Sequence, residues 1–139
     1  MKVLIIDDDA DIRLIAGLTL GRVGGMDVIQ AASGADGVQK AREERPDVIL
    51  LDMMMPTMDG SETLAALRAQ PATALTPVIF LTAKAVGAEV ERMKALGGAG
   101  VLTKPFDPRT LSDEVRALVR QSLGGDPTAS AGLTNPAST

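Results

Sequence analysis

Short apolar runs alternate along the chain with segments in which apolar residues recur every three to four positions. That recurrence is the spacing of a helix with one buried face. The apolar runs themselves are nearly continuous, as expected for strands that a parallel sheet buries on both faces. We predict five buried strands, at Val3–Ile6, Asp27–Ala31, Val48–Leu51, Val78–Leu81 and Gly100–Leu102.

The first and last helices have the clearest periodic patterns. Their repeating positions are Ile12, Ile15, Ala16, Thr19 and Val23 in the first, and Leu111, Val115, Leu118, Val119 and Ser122 in the last. Ser33 is a typical cap for the second helix, Asp107 followed by Pro108 is a typical start for the fifth, and Gly124 is a typical stop. Alternating strands and helices predict a doubly wound α/β fold, because each right-handed crossover lays a helix against the sheet.

Composition narrows the classes of protein that the chain can represent. It has 139 residues, of which 45% are hydrophobic and 23% are charged, which predicts one globular domain. With a net charge of -4, we expect no direct contact with nucleic acid, whose phosphates need a basic surface. We see no signal peptide and no apolar run long enough to span a bilayer, so we expect a cytoplasmic protein without membrane insertion.

The C-terminal segment has a different composition from the rest. Residues 124–139 are rich in Gly, Pro, Ser, Thr and Ala, with Leu133 as the one large apolar side chain. We therefore predict a folded domain over residues 1–123 and a disordered tail over 124–139. A free end and a linker to a further domain are both compatible with this tail.

Polar side chains follow the predicted strands at their carboxyl ends. In an open parallel sheet these ends form the edge where ligands bind. The residues that the fold would bring to this edge are Asp7, Asp8 and Asp9 after the first strand, Asp52 after the third, Thr82 after the fourth, and Thr103 and Lys104 after the fifth.

The chemistry of this edge is that of a hard cation and a phosphate. Two carboxylates such as Asp8 and Asp52 repel by about 4 kcal/mol at ~4 Å and an effective dielectric of about 20, so they need a counter-charge. The sequence contains no His and no Cys, so the ligands are hard oxygens, and these suit Mg²⁺ better than Ca²⁺ because Mg²⁺ takes a few carboxylates and keeps waters that a phosphate can replace. Beside that ion Asp52 can attack phosphorus. Thr82 and Lys104 can both bond phosphate oxygens, and we expect neither to have a comparable partner beforehand.

Four runs resemble the receiver domains of two-component response regulators, and they occur in the family's order. They are LIIDDD at Leu4–Asp9, LLDMMMPTMDG at Leu50–Gly60, FLTAK at Phe80–Lys84 and TKPF at Thr103–Phe106. The resemblance covers Lys2 to about Leu123 and implies a flavodoxin-like fold with strand order 2-1-3-4-5. It also implies a chemotaxis-regulator-like phosphoacceptor, which receives a phosphoryl group from a sensor histidine kinase or a histidine phosphotransfer protein and then changes its binding to a downstream effector.

The same resemblance implies a role for each motif residue. Asp52 becomes the phosphoacceptor, and Thr82 and Lys104 sense the phosphate. The Mg²⁺ ligands are Asp8, Asp52 and the Met54 backbone carbonyl, and Asp7 supports the ion through water. A cis Lys104–Pro105 peptide aims the lysine, since cis bonds are realistic only before proline. Such a domain is not an enzyme in the usual sense, because it promotes only its own phosphorylation and dephosphorylation.

Three positions bear on signalling in particular. The family often carries Tyr or Phe where this chain has Val101, so we expect the coupling of Thr82 to the partner surface to be weaker, or to be carried by backbone movement. Met54 and Lys84 flank the route by which water would attack the phosphate. We therefore expect both side chains to tune the lifetime of the phosphorylated state.

Two readings from other classes stay open at this point. One is a haloacid-dehalogenase-like phosphohydrolase, with Asp7 as nucleophile and Asp9 as acid. The other is a receiver-like interaction module that is never phosphorylated. A calcium-binding EF-hand is excluded, because Ile12 stands where that loop needs Gly and Leu18 stands where it needs Glu.

Overall fold

The sheet has five parallel strands in the order β2-β1-β3-β4-β5, as predicted. The structure is a computed structural model, and it describes residues 1–83 and 87–124. β1, β3, β4 and β5 are each one residue longer than the apolar runs predicted. The strands are β1 (Lys2–Ile6), β2 (Asp27–Ala31), β3 (Val48–Asp52), β4 (Val78–Thr82) and β5 (Gly100–Thr103).

Helices connect the strands and cover both faces of the sheet. They are α1 (Ala10–Leu18), α2 (Gly34–Glu44), α3 (Gly60–Ala69), α4 (Gly87–Ala95) and α5 (Leu111–Gly124), and a π-helical turn, Thr19–Val23, continues α1. The Asp9 side chain caps α1, and Ser33 caps α2 as predicted. Capping satisfies backbone N–H groups that the first turn of a helix would otherwise leave unpaired.

The start of α5 differs from the prediction. Asp107 was expected to begin the helix, but the Asp107 carbonyl accepts hydrogen bonds from the backbone N–H groups of Thr110 and Leu111 across a turn. The regular helix begins at Leu111, so the Asp-Pro pair starts a turn that leads into α5. Gly124, the predicted stop, is the last residue of α5, and the rest of the predicted tail lies outside the described residues.

The predicted buried stripe of the first helix is wrong at two positions. Ile15 and Val23 are 44% and 70% exposed, whereas the buried side chains are Ala16, Thr19 and Leu20. A π-helical turn holds more residues than an α-helical turn, which shifts Val23 off the α-helical stripe. Ile15 precedes this turn, and its exposure has no such explanation. The apolar positions of α5 are buried or partly buried as predicted, except that Ser122 is exposed.

The core consists of two apolar layers, one on each face of the sheet. The first layer packs against α1 and α5 and centres on Ile5, Leu50, Leu81 and Val115. The second packs against α2, α3 and α4. β3 and β4 are buried at every position, which confirms the prediction for them. The prediction of burial is wrong for β2, because it is an edge strand and only Ala31 is buried.

The sequence predicts a protein without membrane insertion, and the length and polarity of the helices can be compared with that expectation. Within residues 1–83 and 87–124, the structure contains no helix that is both long and apolar enough to cross a membrane.

Candidate functional site

The carboxyl ends of the strands bring together residues that are far apart in the sequence. Asp7 follows β1 directly, and Asp52 and Thr82 are the last residues of β3 and β4. The sheet register pairs Thr82 with Thr103, and Lys104 comes next. The parallel topology therefore places the carboxylates, the hydroxyl and the ammonium group at one edge of the sheet, as the sequence predicted.

Asp7 is fully buried, and both its backbone and its carboxylate are bonded to neighbouring residues. Its backbone N–H donates to the Ala31 carbonyl at 3.1 Å, which ties it to β2. Its Oδ1 accepts a hydrogen bond from the Asp9 backbone at 2.9 Å. Its Oδ2 lies 2.9 Å from Lys104 Nζ. A buried carboxylate needs such partners, because an uncompensated charge in the protein interior is strongly unfavourable.

Asp52 is also buried, and its Oδ1 is shared between two donors. The Met54 backbone N–H donates to it at 3.1 Å, and Lys104 Nζ lies 3.3 Å away. Burial raises the pKa of Asp52 to about 6. The Met54 hydrogen bond and Lys104 oppose that shift, while the charge of Asp7 adds to it. The ionised form is thus under-compensated, and a further cation at this edge would stabilise it.

Asp7, Asp8 and Asp52, here called the acidic cluster, each offer a carboxylate oxygen, and these oxygens lie within 4.8 Å of one another. Asp8 is exposed while the other two are buried, so the cluster opens to solvent on the side of Asp8. Its donors are hard oxygens, and carboxylates next to open solvent suit Mg²⁺, which retains several waters. The residues present therefore fit the predicted ion.

Lys104 corrects one expectation from the sequence. It was expected to have no comparable partner before phosphate binds, but it already contacts both Asp7 and Asp52. Burial lowers the pKa of Lys104, yet the hydrogen bonds and negative charges of the two aspartates outweigh burial and raise it overall. Thr82 is buried at the end of β4 and is not without a partner either. Charge compensation inside the acidic cluster explains why Lys104 is paired from the outset.

The backbone around Lys104 has the predicted geometry. The Lys104–Pro105 peptide bond is cis. The Lys104 backbone N–H donates to the Thr82 carbonyl at 2.8 Å, which links the end of β5 to the end of β4. The lysine side chain reaches the acidic cluster from the end of β5.

The loop between β3 and α3 depends on a close approach at Gly60. The Gly60 backbone N–H donates to the Met53 carbonyl at 3.0 Å. A Cβ at this position would lie 2.7 Å from the Met53 Cα and 2.9 Å from the Asp52 carbonyl oxygen, which is too close for any side chain. Asp59 and Glu62 then form a capping box at the start of α3. The absence of a side chain at Gly60 thus lets the loop close beneath Asp52.

Three further positions were singled out from the sequence. Met54 is 79% exposed beside Asp52, while Met53 and Met55 are buried. Val101 is partly buried on β5 and lines a pocket of about 300 Å³ together with Phe106. The roles of the Met54 carbonyl and of Val101 stay predictions, and Lys84 lies outside the described residues.

Sequence reasoning missed one arginine near the site. Arg13 Nη1 donates to the Asp7 backbone carbonyl at 2.8 Å. A cation six residues after a buried aspartate, on the first helix, was the available signal. It was overlooked because a solvated helix face explains most arginines equally well.

Residues 3–116 match the model of the response regulator receiver domain. The chain is 38% identical over 121 residues to the alkaline phosphatase synthesis transcriptional regulatory protein PhoP of Bacillus subtilis, a match that covers 87% of this chain and 49% of PhoP. It is 37% identical over 119 residues to protein PilG of Pseudomonas aeruginosa, covering 86% of this chain and 87% of PilG. The chain therefore spans about half the length of one relative and most of the other.

A solved structure supports the same family. The chemotaxis response regulator CheY4 of Vibrio cholerae superposes with a TM-score of 0.78 at 38% identity, over 84% of this chain and 97% of CheY4. The chain belongs to the response regulator receiver domain family. This membership removes the haloacid-dehalogenase-like alternative, in which Asp7 would be the nucleophile.

Proposed function

We propose that this chain is a phosphoacceptor of a two-component phosphorelay and that it is phosphorylated on Asp52. The observation that carries the proposal is the convergence of the acidic cluster and Lys104 at the carboxyl edge of the sheet. Membership of the receiver domain family supports an acceptor at this edge. Residues 1–123 would form this receiver, and 124–139 a separate tail.

The proposed Mg²⁺ ligands are the carboxylates of Asp8 and Asp52 and the Met54 backbone carbonyl, with Asp7 acting through water. When bound, Mg²⁺ would offset negative charge on the incoming phosphoryl group. The hard-oxygen donor set and the raised pKa of Asp52, about 6, support a cation at this edge.

In the proposed reaction an Asp52 carboxylate oxygen attacks phosphorus in line. A P–O bond forms to Asp52 while the P–N bond of a donor phosphohistidine breaks, and the electron pair returns to the imidazole nitrogen. With acetyl phosphate as donor, the P–O bond to acetate breaks instead. Lys104 would exchange part of its contact with Asp52 for a phosphoryl oxygen, and the Thr82 hydroxyl would donate to another. These exchanges would shift the populations of the conformations that partners recognise.

A histidine kinase or histidine phosphotransfer protein would deliver the phosphoryl group, and an effector protein would respond to it. Exposed apolar side chains on α1, at Leu14, Ile15 and Leu18, lie on the helix that follows Asp7 and Asp8. An apolar surface beside an acidic edge suits a protein partner whose phosphohistidine must approach Asp52. Val101, in place of an aromatic residue, would weaken the coupling between Thr82 and the effector surface.

Intact-mass measurement tests the proposal without requiring the kinase. The protein is incubated with acetyl phosphate and Mg²⁺, and a single phosphoryl adduct is expected on the wild type. Asp52→Asn should carry none, and removal of Mg²⁺ with EDTA should suppress the wild-type adduct. Asp27→Asn, an exposed aspartate on β2, serves as the matched control and should be phosphorylated like the wild type.

Two outcomes would overturn the proposal. An adduct that persists in Asp52→Asn would place the acceptor elsewhere. A folded wild-type protein that carries no adduct with acetyl phosphate, and that takes up none from a panel of phosphorylated histidine kinases, would instead support a receiver-like interaction module that is never phosphorylated.

A further inference from the structure

Arg13 makes a contact with the acidic cluster that the proposed reaction does not use. It lies on α1 and is partly buried, and its Nη1 donates to the Asp7 backbone carbonyl at 2.8 Å. This carbonyl belongs to the peptide group that joins Asp7 to Asp8. The guanidinium group therefore holds the peptide from which the Asp8 side chain projects.

The neighbouring contacts explain why this peptide matters. Asp7 is fastened through its backbone N–H to Ala31 and through its carboxylate to Lys104 and the Asp9 backbone. Asp8 follows Asp7 and is exposed. The Asp7–Asp8 peptide is bonded to the Asp8 Cα, so a rotation of the backbone at this peptide would change where the Asp8 carboxylate lies relative to Asp52. A hydrogen bond from a charged donor is stronger than one from a neutral donor and opposes such rotation.

We infer that Arg13 is a positioning residue, which holds the Asp7–Asp8 peptide so that Asp8 can share a divalent cation with Asp52. The inference rests on the proposed function, in which Asp8 is a ligand. Groups that orient metal ligands typically change metal affinity by about 10–100-fold when they are removed. Arg13 would act in this way through the main chain.

The positive charge of Arg13 would repel Mg²⁺, whereas positioning of Asp8 by Arg13 would favour Mg²⁺ binding. Because the two effects have opposite signs, the inference is testable. If the guanidinium only repelled Mg²⁺, its removal would tighten binding. If it positions Asp8, Arg13→Met should weaken Mg²⁺ binding about tenfold, even though a repelling charge is lost. Arg13→Lys and Arg13→Gln keep an N–H donor and should recover part of the affinity, whether or not they keep the charge.

The experiment measures Mg²⁺ affinity by calorimetry and by the ¹H–¹⁵N amide resonances of Asp8 and Met54. The Asp8 amide nitrogen belongs to the peptide that Arg13 holds, so its resonance should shift in Arg13→Met before any Mg²⁺ is added. Arg116→Met is the matched control, because Arg116 also donates to a backbone carbonyl, that of Gly24, in another part of the fold. It should change thermal stability and leave Mg²⁺ affinity as in the wild type.

Three results would overturn the inference. Arg13→Met could bind Mg²⁺ as tightly as the wild type or more tightly, which would leave only a charge effect. Arg116→Met could lose affinity to the same extent, which would indicate general destabilisation. If Arg13→Met does not fold, Arg13→Ala decides, because it also lacks a side-chain donor and is compatible with the helix, and unchanged Mg²⁺ affinity together with an unchanged Asp8 resonance contradicts positioning. Failure of the wild type to bind Mg²⁺ would refute the proposed function instead.

Discussion

Lys104 Nζ lies 2.9 Å from Asp7 Oδ2 and 3.3 Å from Asp52 Oδ1, so the lysine is held more closely by the supporting aspartate than by the proposed phosphoacceptor. Both aspartates are almost fully buried. Lys104 is thus the internal counter-ion of the acidic cluster in the absence of a metal ion. A bound cation and Lys104 would compensate the same carboxylates. Each should therefore contribute less to stability when the other is in place.

Lys104→Met should reveal this competition. Breaking a buried ion pair by removing one partner typically costs about 3–5 kcal/mol, and the partial exposure of Lys104 puts the expected loss at the lower end, about 3 kcal/mol. The loss should appear in EDTA and shrink in saturating Mg²⁺, because the ion replaces the missing charge and binds more tightly. Urea unfolding followed by far-UV circular dichroism measures it. Arg92→Met, which breaks an exposed pair with Glu89, should cost less than about 0.5 kcal/mol in either buffer. Equal losses with and without Mg²⁺ would contradict the competition.

Asp52→Asn should stabilise the metal-free protein at neutral pH. The folded-state pKa of Asp52 is about 6, above its ordinary value of 3.8, so the folded state binds more protons than the unfolded state between these values. The free energy of unfolding contributed by this group therefore falls as the pH rises through that window. Replacing the ionised carboxylate with an amide should raise the stability by roughly 1–3 kcal/mol at about pH 7 and by little near pH 4.

The measurement for Asp52→Asn is urea unfolding in EDTA across that pH range. The difference between variant and wild type should grow as the pH increases. A difference that does not depend on pH would show that titration of Asp52 is not its cause. In saturating Mg²⁺ the order of stability should approach equality or reverse, because the wild type gains more from the ion.

Gly60→Ala should disturb the support of Asp52, the proposed phosphoacceptor. An added Cβ would meet backbone atoms of Met53 and Asp52 that have no freedom to move aside. We expect a loss of about 2–3 kcal/mol in stability together with weaker Mg²⁺ binding, because the loop carries the Met54 carbonyl. Gly87→Ala is the matched control, since a Cβ there meets nothing within 4 Å, and it should change stability by less than about 1 kcal/mol. A Gly60→Ala protein as stable as Gly87→Ala would exclude the proposed close approach.

Met54→Asn should shorten the lifetime of the phosphorylated state and leave Mg²⁺ affinity unchanged. Met54 is 79% exposed beside Asp52, so an amide in its place can hydrogen-bond water that approaches the phosphate. One hydrogen bond contributes about 1 kcal/mol, which corresponds to a roughly fivefold faster decay. Decay is followed by intact mass after acetyl phosphate is removed. Met54→Leu retains apolar cover and should decay like the wild type, and an unchanged rate in Met54→Asn would remove the idea.

The sequence by itself determined the fold class, the five strands and the residues that meet at the carboxyl edge. Apolar runs and helical spacing are local signals, and in a parallel α/β sheet the strand ends necessarily share an edge, so Asp8, Asp52, Thr82 and Lys104 could be grouped without coordinates. The strand order came instead from the resemblance to receiver domains. Boundaries were less certain, as the start of α5 shows, because a turn and a helix begin with the same residue types.

Only the tertiary structure decided which contacts these residues make. The pairing of Lys104 with Asp7, the bond from Arg13 to the Asp7 carbonyl, and the close approach at Gly60 depend on side-chain directions and on distances between segments remote in sequence. The exposure of Val23 depends on a π-helical turn that the residue pattern did not predict. Composition and spacing describe which groups are available, whereas burial and long-range geometry set which charges must compensate one another.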